Sequence, residues 1–180
     1  MSATLAFHDD AEAPGPPRRA PLRALALLPL GVIGPFGGWV MATAYLVLPP
    51  VAGMHLTDRR PGEYIDDDGP RVAAALEWLV WLRAFGMLLV ARPPLGDGPP
   101  LRLAIAPAGR PTTASAMLRL ITGLPVALAL FVAGAALVPA WIVGCAGLAV
   151  TGRVPAPVRA AHLGLLRAEA AFLARHASLR

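Results

Sequence analysis

L-R-L-I-T-G-L-P-V-A-L-A-L-F-V-A-G-A-A-L-V-P-A-W-I-V-G-C-A-G-L-A-V-T-G-R-V-P, residues 118–155, is the stretch on which the fold turns. No charge falls between Arg119 and Arg153, and uncharged apolar runs beyond about 18 residues mark membrane segments. An upstream stretch has the same plan: Leu22-Arg23 opens it, Pro29 stands at the offset of Pro125, and T-D-R-R-P (Thr57 to Pro61) closes it as T-G-R-V-P (Thr151 to Pro155) closes the second. Each block is too long for one span. A helix over residues 24–57 would reach about 50 Å against a hydrocarbon core of about 30 Å. It would also carry Pro35 among Gly34, Gly37 and Gly38 at mid-depth. The spacing predicts two short helices per block, turning at Gly34 to Trp39 in the first and near Val138-Pro139-Ala140-Trp141 in the second.

Charge placement favours the same topology. All sixteen basic residues are Arg. Hairpins put the N-terminal, middle and C-terminal segments, and with them every Arg, on one face, whereas two single spans divide them evenly. The expected fold class is therefore an all-α membrane protein of two tandem repeats. Each repeat is a short transmembrane or re-entrant helical hairpin followed by an interfacial helix, with both termini cytoplasmic.

The expected organisation is a flexible cytoplasmic tail at 1–21, a first repeat at 22–92 with an acidic insertion at 62–71, a connector at 93–117, and a second repeat at 118–180. The tail is polar and Pro-rich with no apolar core, unlike a secretory signal. The Pro/Gly-rich connector contains the alternating L-R-L-A-I-A (Leu101 to Ala106), the pattern of a short strand. The post-hairpin helices are expected at Val72 to Val90, after the D-D-G-P start (Asp67 to Pro70), and at Pro157 to His176. They align on L-x-x-L-R-A (Leu79 to Ala84, Leu163 to Ala168), with Arg83 opposite Arg167. The first is apolar nearly all round and is expected in the headgroup boundary, with Trp78, Trp81 and Phe85 as anchors and Arg83 reaching to water. A further span is the alternative for it, opposed by the charges of Glu77 and Arg83.

These features resemble an uncharacterised bacterial family of multi-pass membrane proteins. It has an alternating strand, a spaced Leu-Arg, an apolar hairpin with an early Pro, a T-G-R-Y-P motif and a helix carrying G-x-L-R, often in tandem copies. Leu118-Arg119, Pro125, Thr151 to Pro155 and Gly164-Leu165-Leu166-Arg167 carry the likeness in the second copy, with Val154 in place of Tyr. The first copy departs further, with Asp58 for Gly and Arg60 for Tyr. The resemblance implies a multi-pass membrane protein and no known activity.

Composition excludes several functions. The net charge of +5 belongs to Arg flanking apolar blocks, which suits anionic headgroups rather than nucleic acid. Cys145 is the only cysteine, so a disulfide or cysteine zinc site within one chain is excluded. Asp66-Asp67-Asp68 is contiguous where a calcium loop needs spaced ligands. His162, Glu169 and His176 share a helix face but stand about 10 Å apart, too far to hold one metal. No facing His pair supports haem at His55 or His162. The blocks contain no acidic or basic residue for a proton relay, and no catalytic motif is present. The expectation is a non-enzymatic protein with no cofactor or metal, an accessory or scaffolding subunit of a larger inner-membrane complex, or else a homo-oligomer. The alternative is a transporter or lipid-binding protein that uses the groove between the repeats. Arg59, Arg83, Arg153, Arg167, Trp78 and Trp81 are the candidate contacts to lipid headgroups or partners. For Arg59 and Arg153, setting the topology is the competing role.

Overall fold

The computed structural model describes residues 4–7, 35–58, 63–91, 101–105 and 111–179. The described residues are mostly helical. In chain order they form strand β1 (Thr4–Phe7), helix α1 (Pro35–Asp58), a π-helical turn (Tyr64–Asp68) running into α2 (Gly69–Gly86), strand β2 (Leu101–Ala104), α3 (Thr113–Ala136), α4 (Val138–Thr151) and α5 (Ala156–His176).

Helix α5 lies at the centre, in contact with α1, α2, α3, α4 and β1. Its buried positions include Val158, His162, Leu165, Leu166, Glu169, Ala170, Leu173 and Ala174. That three-and-four spacing is the stripe a helix turns toward a core. Leu76, Val80, Trp81 and Ala84 of α2 meet it, with Leu101 and Leu103 of β2 beneath. Local chemistry sets the two helix starts. Asp68 is the N-cap of α2 and Pro70 sits in its first turn, while Pro155 and Pro157 open α5, where a missing N–H costs nothing.

The strand expected at Leu101 to Ala106 is present over its first four residues. Leu101 and Leu103 face the core and Arg102 and Ala104 face outward. Its partner is a departure from the sequence reading, which places Thr4–Phe7 in an unstructured tail. These residues pair antiparallel with β2, Thr4 opposite Ala104 and Phe7 opposite Leu101. On the other edge of β2, the Leu103 N–H donates to Glu77 Oε2 at 3.0 Å, so one acidic side chain of α2 satisfies an edge that would otherwise stay open.

The second apolar block corrects the hairpin expectation. Helix α3 begins before Leu118, at a capping box: Thr112 Oγ1 accepts the Ser115 N–H at 3.2 Å, and Ser115 Oγ accepts the Thr112 N–H at 3.0 Å. The helix then runs through Pro125 to Ala136. A single residue, Leu137, joins it to α4, with φ −87° and ψ −1°. Helical bonding carries on across the joint, since the Leu137 N–H donates to Ala133 and Gly134 and the Trp141 N–H donates to Leu137 at 2.9 Å. Pro139 cannot donate to the Ala135 carbonyl and crowds it, so the rod bends there. It does not double back, and α3 and α4 meet little beyond their joint.

Pro35–Trp39, expected in the first turn, instead form the start of α1. Gly34 and the upstream arm lie outside the described residues. Pro49 and Pro50 lie inside α1 and deny hydrogen bonds to the carbonyls of Tyr45 and Leu46. Helix α1 packs on α3, the pair crossing where a Cβ on Gly53 would stand 3.4 Å from Met117 Sδ. The two expected units are therefore in direct contact.

The T-G-R-V-P motif makes the α4–α5 corner. Thr151 Oγ1 donates to the Gly147 carbonyl at 2.8 Å and accepts the Arg153 N–H at 3.3 Å. Gly152 takes φ +72°, a left-handed cap that suits glycine. Pro155 Cδ lies 2.8 Å from where a Gly147 Cβ would be, so the corner closes only because residue 147 has no side chain.

Candidate functional site

Three ionisable groups on the inner face of α5 are buried: His162, Glu169 and His176. Their seven-residue spacing puts them in line at successive levels. Two of them meet α2 and the third meets α3. Glu169 takes a bidentate pair from Arg83 of α2, with Nε to Oε2 at 3.0 Å and NH2 to Oε1 at 2.9 Å. His162 Nδ1 lies 3.0 Å from the Met87 carbonyl at the end of α2. His176 places Nδ1 3.2 Å from the Phe172 carbonyl and Nε2 3.1 Å from the Arg119 carbonyl of α3.

The electrostatics follow from burial. Both histidines are pushed below the ordinary imidazole range, chiefly by loss of water. Carbonyl hydrogen bonds from Met87 and Leu137 oppose this at His162, and those from Phe172 and Arg119 oppose it at His176. The Arg83 charge adds to the fall at His162, and the Arg119 and Arg175 charges add to it at His176. Neutral His162 has one N–H to donate and two carbonyls, those of Met87 and Leu137, to receive it. Neutral His176 donates to one of its two carbonyls and leaves the other to wait for a second proton.

This seam ties the fold together and gathers no metal site. Among the described residues no group of three His, Cys, Asp or Glu side chains converges. Asp66, Asp67 and Asp68 sit on a helical turn, the first two exposed and Asp68 buried, so their carboxylates splay around it. Asp68 faces His55 at 3.3 Å. Tyr64 beside it donates to the Ala177 carbonyl at 2.7 Å, which pins the end of α5 to the π-helical turn.

At the His176 end of the seam an open groove of about 480 Å³ lies between α3 and α5. Arg119, Thr122 and Val126 form one wall and Ala168, Phe172 and Arg175 the other. Gly123 lets the walls approach, because a Cβ there would stand 2.3 Å from His176 Nε2. Arg119 NH1 donates to the Arg175 carbonyl and, at 3.0 Å, to Ser178 Oγ. Neither arginine has a carboxylate partner among the described residues. The groove belongs to the second unit and does not lie between the two.

Of the six candidate contacts, Arg59 lies outside the described residues. Arg83 does not reach to water: it pairs with Glu169, and its side chain is 16% exposed. Trp81 is likewise taken into the core, while Trp78 stays 47% exposed. Arg153, on the α4–α5 corner, and Arg167, on the outer face of α5, are exposed. Arg83 and Arg167, which the expected repeat aligns, thus occupy unlike surroundings. Sequence reasoning used Arg119 only as an alignment mark and passed over Arg175. Their signal was that each borders a segment with no nearby acid on its own helix face.

No family model, curated protein or solved structure matches the chain, so the family resemblance rests on the motifs alone.

Proposed function

We propose that the chain is a non-enzymatic helical membrane protein, an accessory or scaffolding subunit of an inner-membrane assembly. The observation that carries this reading is the outer surface of α3 and α4. Helix α3, 24 residues long, is the one described helix both long and apolar enough to cross a bilayer, at about 36 Å for a core of about 30 Å. It meets the body along the stripe through Ala116, Gly123, Leu130 and Leu137, whereas Leu118, Ile121, Leu124, Leu128, Phe131 and Val132 are exposed. Ile142, Val143 and Val150 extend that surface along α4. Together these side chains amount to an apolar patch on the order of 1,000 Å², above the 300–600 Å² usual on a monomer in water. Arg119 and Arg153 flank the charge-free run at its two ends, so the charges bound the apolar surface without setting its orientation.

The buried polar groups support a structural role, because Arg83, Glu169, His162 and His176 are each engaged in holding one helix to another. Direct packing of α1 on α3 speaks against transport through a space between the two units. Native mass spectrometry after extraction in mild detergent tests the reading. The expected result is a stoichiometric complex with other subunits or a homo-oligomer, and a stable lone monomer would overturn the scaffolding role.

A further inference from the structure

We infer that the groove between α3 and α5 is a binding site for the headgroup phosphate of an anionic phospholipid, with Arg119 and Arg175 as its cationic contacts. The inference rests on the membrane reading of α3. Three observations meet there. First, the two arginines touch, Arg119 donating to the Arg175 carbonyl, and no carboxylate among the described residues neutralises either. Both arginines line the one groove, and an anion held there that accepts from each offsets the repulsion between their charges. Second, the space beside them is shaped by small side chains. Gly123 and Ala168 leave about 480 Å³ between the helices, room for a headgroup. Third, the groove changes character along its length. Away from the arginines its walls are Val126 on one side and Phe172 and Ala168 on the other, and Val126 is 45% exposed on the apolar flank of α3. A phosphate at the arginines thus has an apolar surface beside it for the acyl chains. This combination distinguishes a lipid from free phosphate, which gains nothing from the apolar end.

Arg119 anchors Ser178 and the α5 terminus as well, so its loss confounds binding with folding. Arg175 is exposed, and its side chain makes no hydrogen bond or ion pair among the described residues. Arg175→Gln removes the charge without that risk, and Ala168→Leu fills the groove without touching charge. The test is native mass spectrometry of the purified full chain titrated with phosphatidylglycerol, phosphatidylcholine or inorganic phosphate. A parallel assay measures flotation of the chain with vesicles of each lipid.

The expected result is one bound phosphatidylglycerol in preference to phosphatidylcholine, weakened on the order of tenfold by Arg175→Gln and by Ala168→Leu. Equal retention of both lipids, or phosphatidylglycerol binding that neither variant weakens, overturns the site. Saturable competition by inorganic phosphate overturns the lipid as its occupant. Flotation separates the two levels. A chain that floats with all vesicles but shows no lipid preference refutes the groove and leaves the membrane reading standing. A chain that floats with none refutes both.

Discussion

Substituting Gly123→Ala probes the tightest surroundings of any glycine among the described residues. A Cβ at this position would lie 2.3 Å from Nε2 and 2.4 Å from Cε1 of His176. Ordinary contact is about 3.5–4.0 Å, so the imidazole must retreat by more than an ångström. Phe172, tilted at a centroid distance of 4.0 Å, and Tyr45 at 5.2 Å block it on two sides, leaving only the side toward the groove. Overpacking of this kind costs about 1–3 kcal/mol, and displacing His176 from the Arg119 carbonyl costs about 1 kcal/mol more. Replacing glycine in a helix returns about 1 kcal/mol. The net expectation is a loss of about 2 kcal/mol, or a Tm about 4–8 °C lower for a chain of this size, read by circular dichroism in detergent. Gly164→Ala is the control, since nothing lies within 4 Å of its Cβ position, and it should gain about 1 kcal/mol. In the Gly123→Ala background, His176→Ala should cost at least about 1 kcal/mol less than in the wild type. A Gly123→Ala protein as stable as wild type, or strictly additive losses, would refute the packing argument.

Other outcomes follow from the seam and the corner. Glu169→Ala leaves the partly buried Arg83 guanidinium unpaired and should cost about 3 kcal/mol, the low end for a buried pair, whereas Arg83→Met with Glu169→Leu should recover most of it, as thermal melts would show. His162 and His176 are both held below the ordinary imidazole value in the fold. The unfolded chain therefore takes up protons first, and stability is full above about pH 6.5 and falls as pH drops below it. The slope is bounded by about 1.4 kcal/mol per pH unit for each histidine, and His162→Gln should flatten it in melts recorded across pH 5–8. Gly152→Ala forces a side chain into φ +72° and should cost about 1–2 kcal/mol, while Thr151→Val should lose about 1 kcal/mol through its hydroxyl bonds.

The parts of the fold written in local chemistry were legible in the sequence. Asp68 and Pro70 announce α2, Pro157 announces α5, and the alternation of Leu101 and Leu103 announces β2. Two features resisted because distant residues decide them. Thr4–Phe7 sits in a Pro-rich, charged neighbourhood and becomes a strand only by pairing with a segment almost a hundred residues on. The segment Val138 to Trp141 reads in the sequence as lying at or near a turn. Proline is equally at home in the first turn of a helix, and with Leu137 still right-handed it bends α3 into α4. The heptad of His162, Glu169 and His176 is visible in the sequence as three levels of one helix face. Its partners were not visible, because Arg83, Met87 and Arg119 come from two other elements. Arg83 was read as a surface charge for the same reason: nothing in its own helix offers a carboxylate on that face, and Glu169 is supplied from α5.

The claim that α3 occupies the bilayer is tested most directly by spin-label depth measurement. A label at Leu128→Cys, in a Cys145→Ser background and reconstituted in vesicles, reports mid-helix exposure to lipid. The expected result is strong relaxation by oxygen and little by a water-soluble nickel chelate, with the opposite balance at Ala114→Cys near the start of α3. Equal access of the nickel chelate at both positions would contradict the account.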